Sequence, residues 1–238
     1  SNTDAEIIIF CGVEFTFEKF ILPFAKALNK ENNEIFISYN KNDYKDRKLN
    51  KFGFKFIFNP IERKISLVNL LRSSKKLIND CKKKNIDLIH CHTPIASIAA
   101  RLAGIFLPKV KIIYTCHGFY FHENMPKIKY IFFFLIEFLL SKITDHIFFV
   151  SKEDFMLAQK FNFKNKKYLH YISNGVDNIF KPLKNKNQKI LLRNEFQIPS
   201  KNITFGIAAR FVKEKGFLEL IQAFSFALTK YKNISLCI

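Results

Sequence analysis

The sequence predicts an α/β protein: a doubly wound, Rossmann-like parallel sheet followed by an incomplete second Rossmann-like unit. Three observations lead there. Short apolar runs alternate with longer stretches of helical period; the runs are apolar throughout, as in strands covered on both faces; and the pattern fades once, between Ile179 and Ile203, before restarting.

Glu6–Phe10 reads as the first strand. Phe17, Ile21, Phe24 and Leu28, spaced by four, three and four, give the helix after it. Further strands are expected at Glu34–Tyr39, Phe54–Phe58, Asp87–Cys91, Val110–Thr115, Asp145–Val150 and Tyr168–Ile172. Helices are expected over Ser66–Lys84, Pro94–Gly104, Pro126–Ser141 and Ser151–Phe161. The polar stretch Lys181–Asn187 and Pro199 enclose one short helix, about Gln188–Phe196. We place the domain boundary near Ser173, giving a first domain over residues 1–172 and a linker with the start of a second over 173–238. In the latter, Ile203–Ala208 and Ile234–Ile238 read as strands, and Phe217, Ile221, Phe224, Leu228 and Tyr231 form one helical face. A lone strand–helix–strand unit cannot cover its own faces, so the second domain is expected to continue beyond Ile238 or to be completed by something else.

With 39 Lys and Arg against 20 Asp and Glu, the net charge is +19, which attracts anionic partners: nucleic acid, anionic lipid or phosphorylated substrates. The lysines are spread over many polar faces, with no clustered basic surface or stacking module, which argues against nucleic acid. Five cysteines make an odd set without a C-x-x-C pair, and Cys11, Cys91, Cys116 and Cys237 lie in or beside apolar runs, as expected of a reducing compartment. The opening Ser1-Asn2-Thr3-Asp4 has no basic n-region before Ile7, so neither a signal peptide nor a spanning segment is expected there, and the cytoplasm is the expected location.

Ligands of open parallel sheets sit beyond the carboxyl ends of the strands, and four such places stand out. After the first strand, Gly12 in Cys11-Gly12-Val13 lets backbone N–H groups approach an anion, although one glycine is also what a tight turn needs. No G-x-G-x-x-G follows, which argues against a dinucleotide-binding dehydrogenase. His90-Cys91-His92-Thr93-Pro94 ends another strand and places His92 and Thr93 toward the crevice; no metal is expected, because no partner ligands stand nearby at the right spacing. In Tyr114-Thr115-Cys116-His117-Gly118, His117 is placed either to hydrogen-bond a sugar hydroxyl or to cap the strand. Finally, Arg210 and Lys215 in the loop before the last helix suit a diphosphate; a solvated basic loop is the alternative.

His117-Gly118, Val150-Ser151, Ser173-Asn174-Gly175-Val176-Asp177 and Arg210 with Lys215-Gly216 together resemble, in order and spacing, the family 4 glycosyltransferases of the GT-B fold. Phe15–Leu28 and His92-Thr93-Pro94 add a likeness to bacterial members that build capsule, exopolysaccharide or lipid-linked glycans. The resemblance implies retaining transfer from a nucleotide-diphosphate sugar, held by the second domain, to a glycan or lipid-linked acceptor on the first. It implies that His117 contacts the transferred sugar, that Arg210 and Lys215, with Gly12, bind the donor diphosphate, and that Asn174, Gly175 and Ser151 border the interdomain cleft. Gly12 corresponds loosely to the family's glycine-rich first loop, and His92 and Thr93 fall on the acceptor side. No cofactor or metal is implied. The family's E-x7-E motif would lie past Ile238, so this length of chain alone is expected to bind donor weakly and not to turn over. A GT-B-like nucleotide-sugar epimerase and a basic nucleic-acid-binding protein are the alternative readings.

The most apolar stretch, Pro126–Lys142, is too short to span a bilayer and is interrupted by Glu137. It reads either as a core helix or as a basic-flanked helix lying on anionic lipid, and the charge of the whole chain leads us to expect peripheral attraction to the inner face of the plasma membrane.

Overall fold

The structure is a computed structural model that describes residues 5–12, 14–40, 51–175, 182–183 and 185–238. Val13, Val176 and Asp177, which belong to two of the expected motifs, lie outside the described residues. The chain divides into two compact units, Ser1–Gly175 and Val176–Ile238.

In the first unit seven parallel strands form one sheet: β1 (Glu6–Phe10), β2 (Glu34–Tyr39), β3 (Lys55–Phe58), β4 (Leu88–His92), β5 (Lys111–Cys116), β6 (His146–Phe149) and β7 (Leu169–Tyr171), in the order β3-β2-β1-β4-β5-β6-β7. Alternate residues of each strand serve opposite faces. Ile8 and Phe10, Ile89 and Cys91, Ile112 and Tyr114, and Ile147 and Phe149 belong to the larger core, with Leu77, Ala99 and Ala103 from the helices. Ile7, Ile9, Ile35 and Ile37 face the other way, onto Phe17, Ile21 and Ala25.

The segment after β1 is not one regular helix. It begins with a turn, α1 (Glu14–Thr16), runs through a π-helical segment (Phe17–Ile21) and continues as α2 (Leu22–Lys30). The Leu22 N–H reaches back five residues to the Phe17 carbonyl, and Pro23 follows with no N–H to offer. The helix α3 (Leu67–Lys84) starts on Ser66, whose hydroxyl accepts from the Asn69 N–H, and ends on Asn85 in the left-handed conformation. Then come α4 (Pro94–Gly104), α5 (Lys127–Lys142) and α6 (Lys152–Lys160).

Glu137, which interrupts the apolar run in the sequence, points inward. The fully buried Arg101 of α4 donates to it over 2.8 Å and to the Ser97 hydroxyl over 2.7 Å, with its guanidinium stacked 4.5 Å from the centre of the Tyr114 ring. Burial opposes the Arg101 charge, and the Glu137 carboxylate more than offsets it, holding the group protonated. One face of α5 is therefore anchored by a desolvated ion pair. Its other face is apolar and exposed: Ile128, Ile131, Phe132, Leu135 and Leu139 all lie open.

The second unit contains α7 (Lys186–Glu195), β8 (Ile203–Gly206), a 3-10 turn at Lys213–Lys215, α8 (Phe217–Lys230) and β9 (Ile234–Cys237), with β8 and β9 parallel. Ile203 and Phe205 of this two-stranded sheet are exposed.

Removing one partner of the buried pair leaves the other charge unpaired. Arg101→Met or Glu137→Gln should each lower unfolding stability in urea by about 3–5 kcal/mol. Replacing both with apolar residues should cost clearly less than the two single losses added together.

Candidate functional site

The strand order reverses between β1 and β4, because the chain leaves β1 toward β2 and β3 while the strands after β4 build outward on the other side. At such a switch point the connections diverge and leave a crevice at the carboxyl ends of the strands. Gly12 follows β1 and Thr93 follows β4, and a Cβ added to Gly12 would sit 3.4 Å from Thr93 Oγ1. The fold thus brings the first two predicted places together.

Thr93 carries φ +68° and ψ 144°, a conformation that a β-branched residue rarely adopts and that costs on the order of 1–3 kcal/mol. A residue before proline is normally extended with negative φ, so the sequence pointed the other way. Its carbonyl accepts the Ser97 N–H at 3.0 Å, which starts α4 at Pro94.

His117 comes next along the same edge, one residue past β5. It is half-buried rather than sunk in the apolar interior. The turn that places it needs glycine, since Gly118 has φ +131°, while the space around its Cα is open. From α6, Asp154 Oδ2 accepts the Phe119 N–H at 3.2 Å and fixes the exit of the turn.

The three histidines near the crevice are joined. His92 Nδ1 lies 3.1 Å from His117 Nε2, the His90 and His92 rings stack at 4.3 Å, and His90 Nε2 meets Thr115 Oγ1 at 2.8 Å. The π-helical segment and α2 pack against them. Phe20 approaches His117 at 6.1 Å, and Phe24 meets His90 edge-on at 5.1 Å. His90, His92 and Thr115 are each more than nine-tenths buried. Burial, with the neighbouring His117, brings His90 down to about 3; burial, with His90 and His117, pushes His92 well below its ordinary value; and burial alone lowers His117. All three imidazoles are neutral at neutral pH. His92 Nδ1 and His117 Nε2 engage one another and His90 Nε2 engages Thr115, and among the described residues no group of three or more His, Cys, Asp or Glu is arranged to hold a metal ion.

The same face continues outward through Phe148, stacked on His170 at 4.8 Å, to His146, whose Nδ1 lies 3.0 Å from His170 Nε2. Sequence reasoning missed this pair, although His146 and Phe148 sit two apart on one strand. Burial makes Cys91 another part of the core, raising its thiol to about 12.

The remaining predicted residues lie elsewhere. Ser151 caps α6: its hydroxyl accepts the Asp154 N–H at 3.2 Å and donates to Glu153 at 2.9 Å, so the helix start uses it. Asn174 and Gly175 are exposed beyond β7, after Ser173 at φ +57°. In the second unit, Arg210 and Lys215 are exposed in the loop from β8 to α8. Phe211 stacked on Phe217 at 4.2 Å and Gly216 at φ +66° shape that loop.

Residues 18–178 match the family model of glycosyltransferase family 4. The chain belongs to glycosyltransferase family 4. It is 30% identical over 158 residues to EpsD of Bacillus subtilis, named as a glycosyltransferase, covering 64% of this chain and 39% of that protein. It is likewise 30% identical over 174 residues to an Escherichia coli UDP-Gal:alpha-D-GlcNAc-diphosphoundecaprenol alpha-1,3-galactosyltransferase, covering 66% of this chain and 44% of that one. The chain therefore spans less than half the length of these relatives. Among solved structures, Anabaena Alr3699/HepE in complex with UDP and glucose shares the fold at a TM-score of 0.68 and 15% identity, over 98% of this chain and 60% of that one.

The buried imidazoles make this family 4 domain sensitive to acid. His90 is depressed from 6.5 to about 3 in the folded state, so below 6.5 the unfolded chain holds more protons and folding weakens as pH falls. The loss reaches up to about 1.4 kcal/mol per pH unit for each such histidine. Thermal melts between about pH 7 and 5 should show this decline, and His90→Asn should flatten it.

Proposed function

We propose that the chain is the acceptor-side domain and the first donor-binding unit of an enzyme that transfers a sugar from a nucleotide-diphosphate donor to a glycan or lipid-linked acceptor. The observation that carries this reading is the half-buried His117, held at the carboxyl edge of the sheet beside the switch point by Gly118, Asp154 and His92. UDP bound in the Anabaena structure and the diphosphoundecaprenol acceptor in the name of the Escherichia coli relative support it.

In this reading Arg210 and Lys215 neutralise the donor diphosphate, which gains charge as its bond to the anomeric carbon breaks. The acceptor oxygen forms the new bond to that carbon, with retention, and the acceptor's proton passes to the departing diphosphate. Each charge-assisted phosphate contact contributes on the order of 1.5–3 kcal/mol. His117 orients the transferred sugar, and Gly12 and Thr93 line the crevice beside it. In an enzyme extended to the length of its relatives, His117→Ala should lower kcat about a hundredfold, and Arg210→Ala or Lys215→Ala should each weaken donor binding about tenfold or more. Product analysis with a UDP-sugar decides the matter: an epimerised nucleotide sugar formed without acceptor would contradict the transferase reading.

The exposed face of α5 supports attachment to an anionic membrane. Ile128, Ile131, Phe132, Leu135 and Leu139 follow helical spacing, with Ile128 85% exposed, and Lys127, Lys129 and Lys142 flank them. The same helix thus serves the core through Glu137 and the membrane through its outer ridge. Among the described residues no helix is long and apolar enough to cross a membrane. The protein should co-sediment with vesicles containing anionic lipid at low salt and be released by high salt or neutral vesicles. Phe132→Glu with Leu135→Glu should abolish binding while leaving the melting temperature near that of the wild type.

A further inference from the structure

We propose that His92 is a positioning residue that sets the tautomer of His117: His92 Nδ1–H donates to His117 Nε2, so that His117 offers the ligand an N–H from Nδ1. The assignment deepens the transferase reading and rests on it only for the identity of the ligand.

The two nitrogens stand 3.1 Å apart, a hydrogen-bond distance that holds one proton between them. Which ring owns that proton follows from the far side of His92. Its Nε2 is buried and has no hydrogen-bond partner. A neutral imidazole carries one N–H. Were that N–H on Nε2, it would be a buried donor with nothing to receive it; with the proton on Nδ1, only an acceptor lone pair is left unpaired. Orphaned buried donors are the rarer defect. The alternative of a second proton, making His92 a cation, is disfavoured by its burial and by the His90 ring stacked on it at 4.3 Å. His90 is itself tied to Thr115 Oγ1 at 2.8 Å and faced by Phe24, so the stack holds the His92 ring in place.

The consequence is chemical. A neutral His117 that accepts at Nε2 must carry its proton on Nδ1, and there it is a donor. It recognises an oxygen with a free lone pair, such as a sugar hydroxyl or ring oxygen, and it cannot take a proton from the acceptor through that nitrogen. His117 therefore orients and polarises, and it is not the general base.

The test is long-range 1H–15N correlation on the 15N-histidine-labelled chain, with His117→Gln used to assign the His117 signals. The wild type should show His117 protonated at Nδ1 and bare at Nε2. His92→Phe should shift His117 to the Nε2–H form that free imidazole prefers, and His92→Asn, whose amide N–H falls near the position of Nδ1–H, should keep the Nδ1–H form. In transfer assays of the extended enzyme, His92→Phe should lower kcat about tenfold with KM nearly unchanged, and His92→Asn should recover most of it. His117 protonated at Nε2 in the wild type, or a tautomer unmoved by His92→Phe, would overturn the proposal. The expected tautomer pattern in a protein that transfers no sugar would refute the transferase reading and leave the role of His92 standing.

Discussion

Two neighbouring parallel strands, β1 and β4, send their chains away in opposite directions, and the opening left at their carboxyl ends is the constraint on which the site depends. Neither connection can cover the gap, so backbone and side chains from three strand ends line it. Gly12 lies beside Thr93 at the opening, and Thr93 accepts a strained backbone to start α4 there. The strain persists because Pro94, the Ser97 hydrogen bond and the buried body of α4 hold both sides of the residue.

Desolvation then determines the chemistry of that opening. A histidine in water changes charge within the physiological range, but His90, faced by Phe24 and Phe148, and His92, stacked on His90, are buried and remain uncharged. The two inner imidazoles act as hydrogen-bonding scaffold for the outer one, His117, which alone of the three is half open to a ligand. The +19 charge of the chain gives this uncharged patch a setting that favours anionic partners.

Much of the fold was legible because a parallel sheet writes itself as apolar runs: Ile7–Phe10, Ile112–Ile113 and Ile147–Phe149 are strands for the reason that both their faces are covered. The position of His117 was legible too, since a histidine and a glycine just past a strand end have few other places to go. What stayed hidden depended on contacts distant in sequence or on backbone geometry. Arg101 and Glu137 are 36 residues apart, and Glu137 alone reads as a break in an apolar helix. The π-helical segment leaves the spacing of Phe17, Ile21 and Phe24 intact, so periodicity does not reveal it. Thr93 precedes a proline and reads as extended, whereas packing at the switch point gives it positive φ. Ser151 follows β6, and its hydroxyl accepts the Asp154 N–H at the start of α6, a cap that its place in the sequence alone did not reveal.

The central claim is that His90 and His92 are held neutral by burial and thereby support His117 at the mouth of the crevice. Following the ring C–H resonances of the six histidines by NMR as the folded protein is acidified addresses it most directly. The account predicts that the His90 and His92 signals stay at their neutral positions down to about pH 5. Titration of either buried ring near 6.5 in the folded state would contradict it.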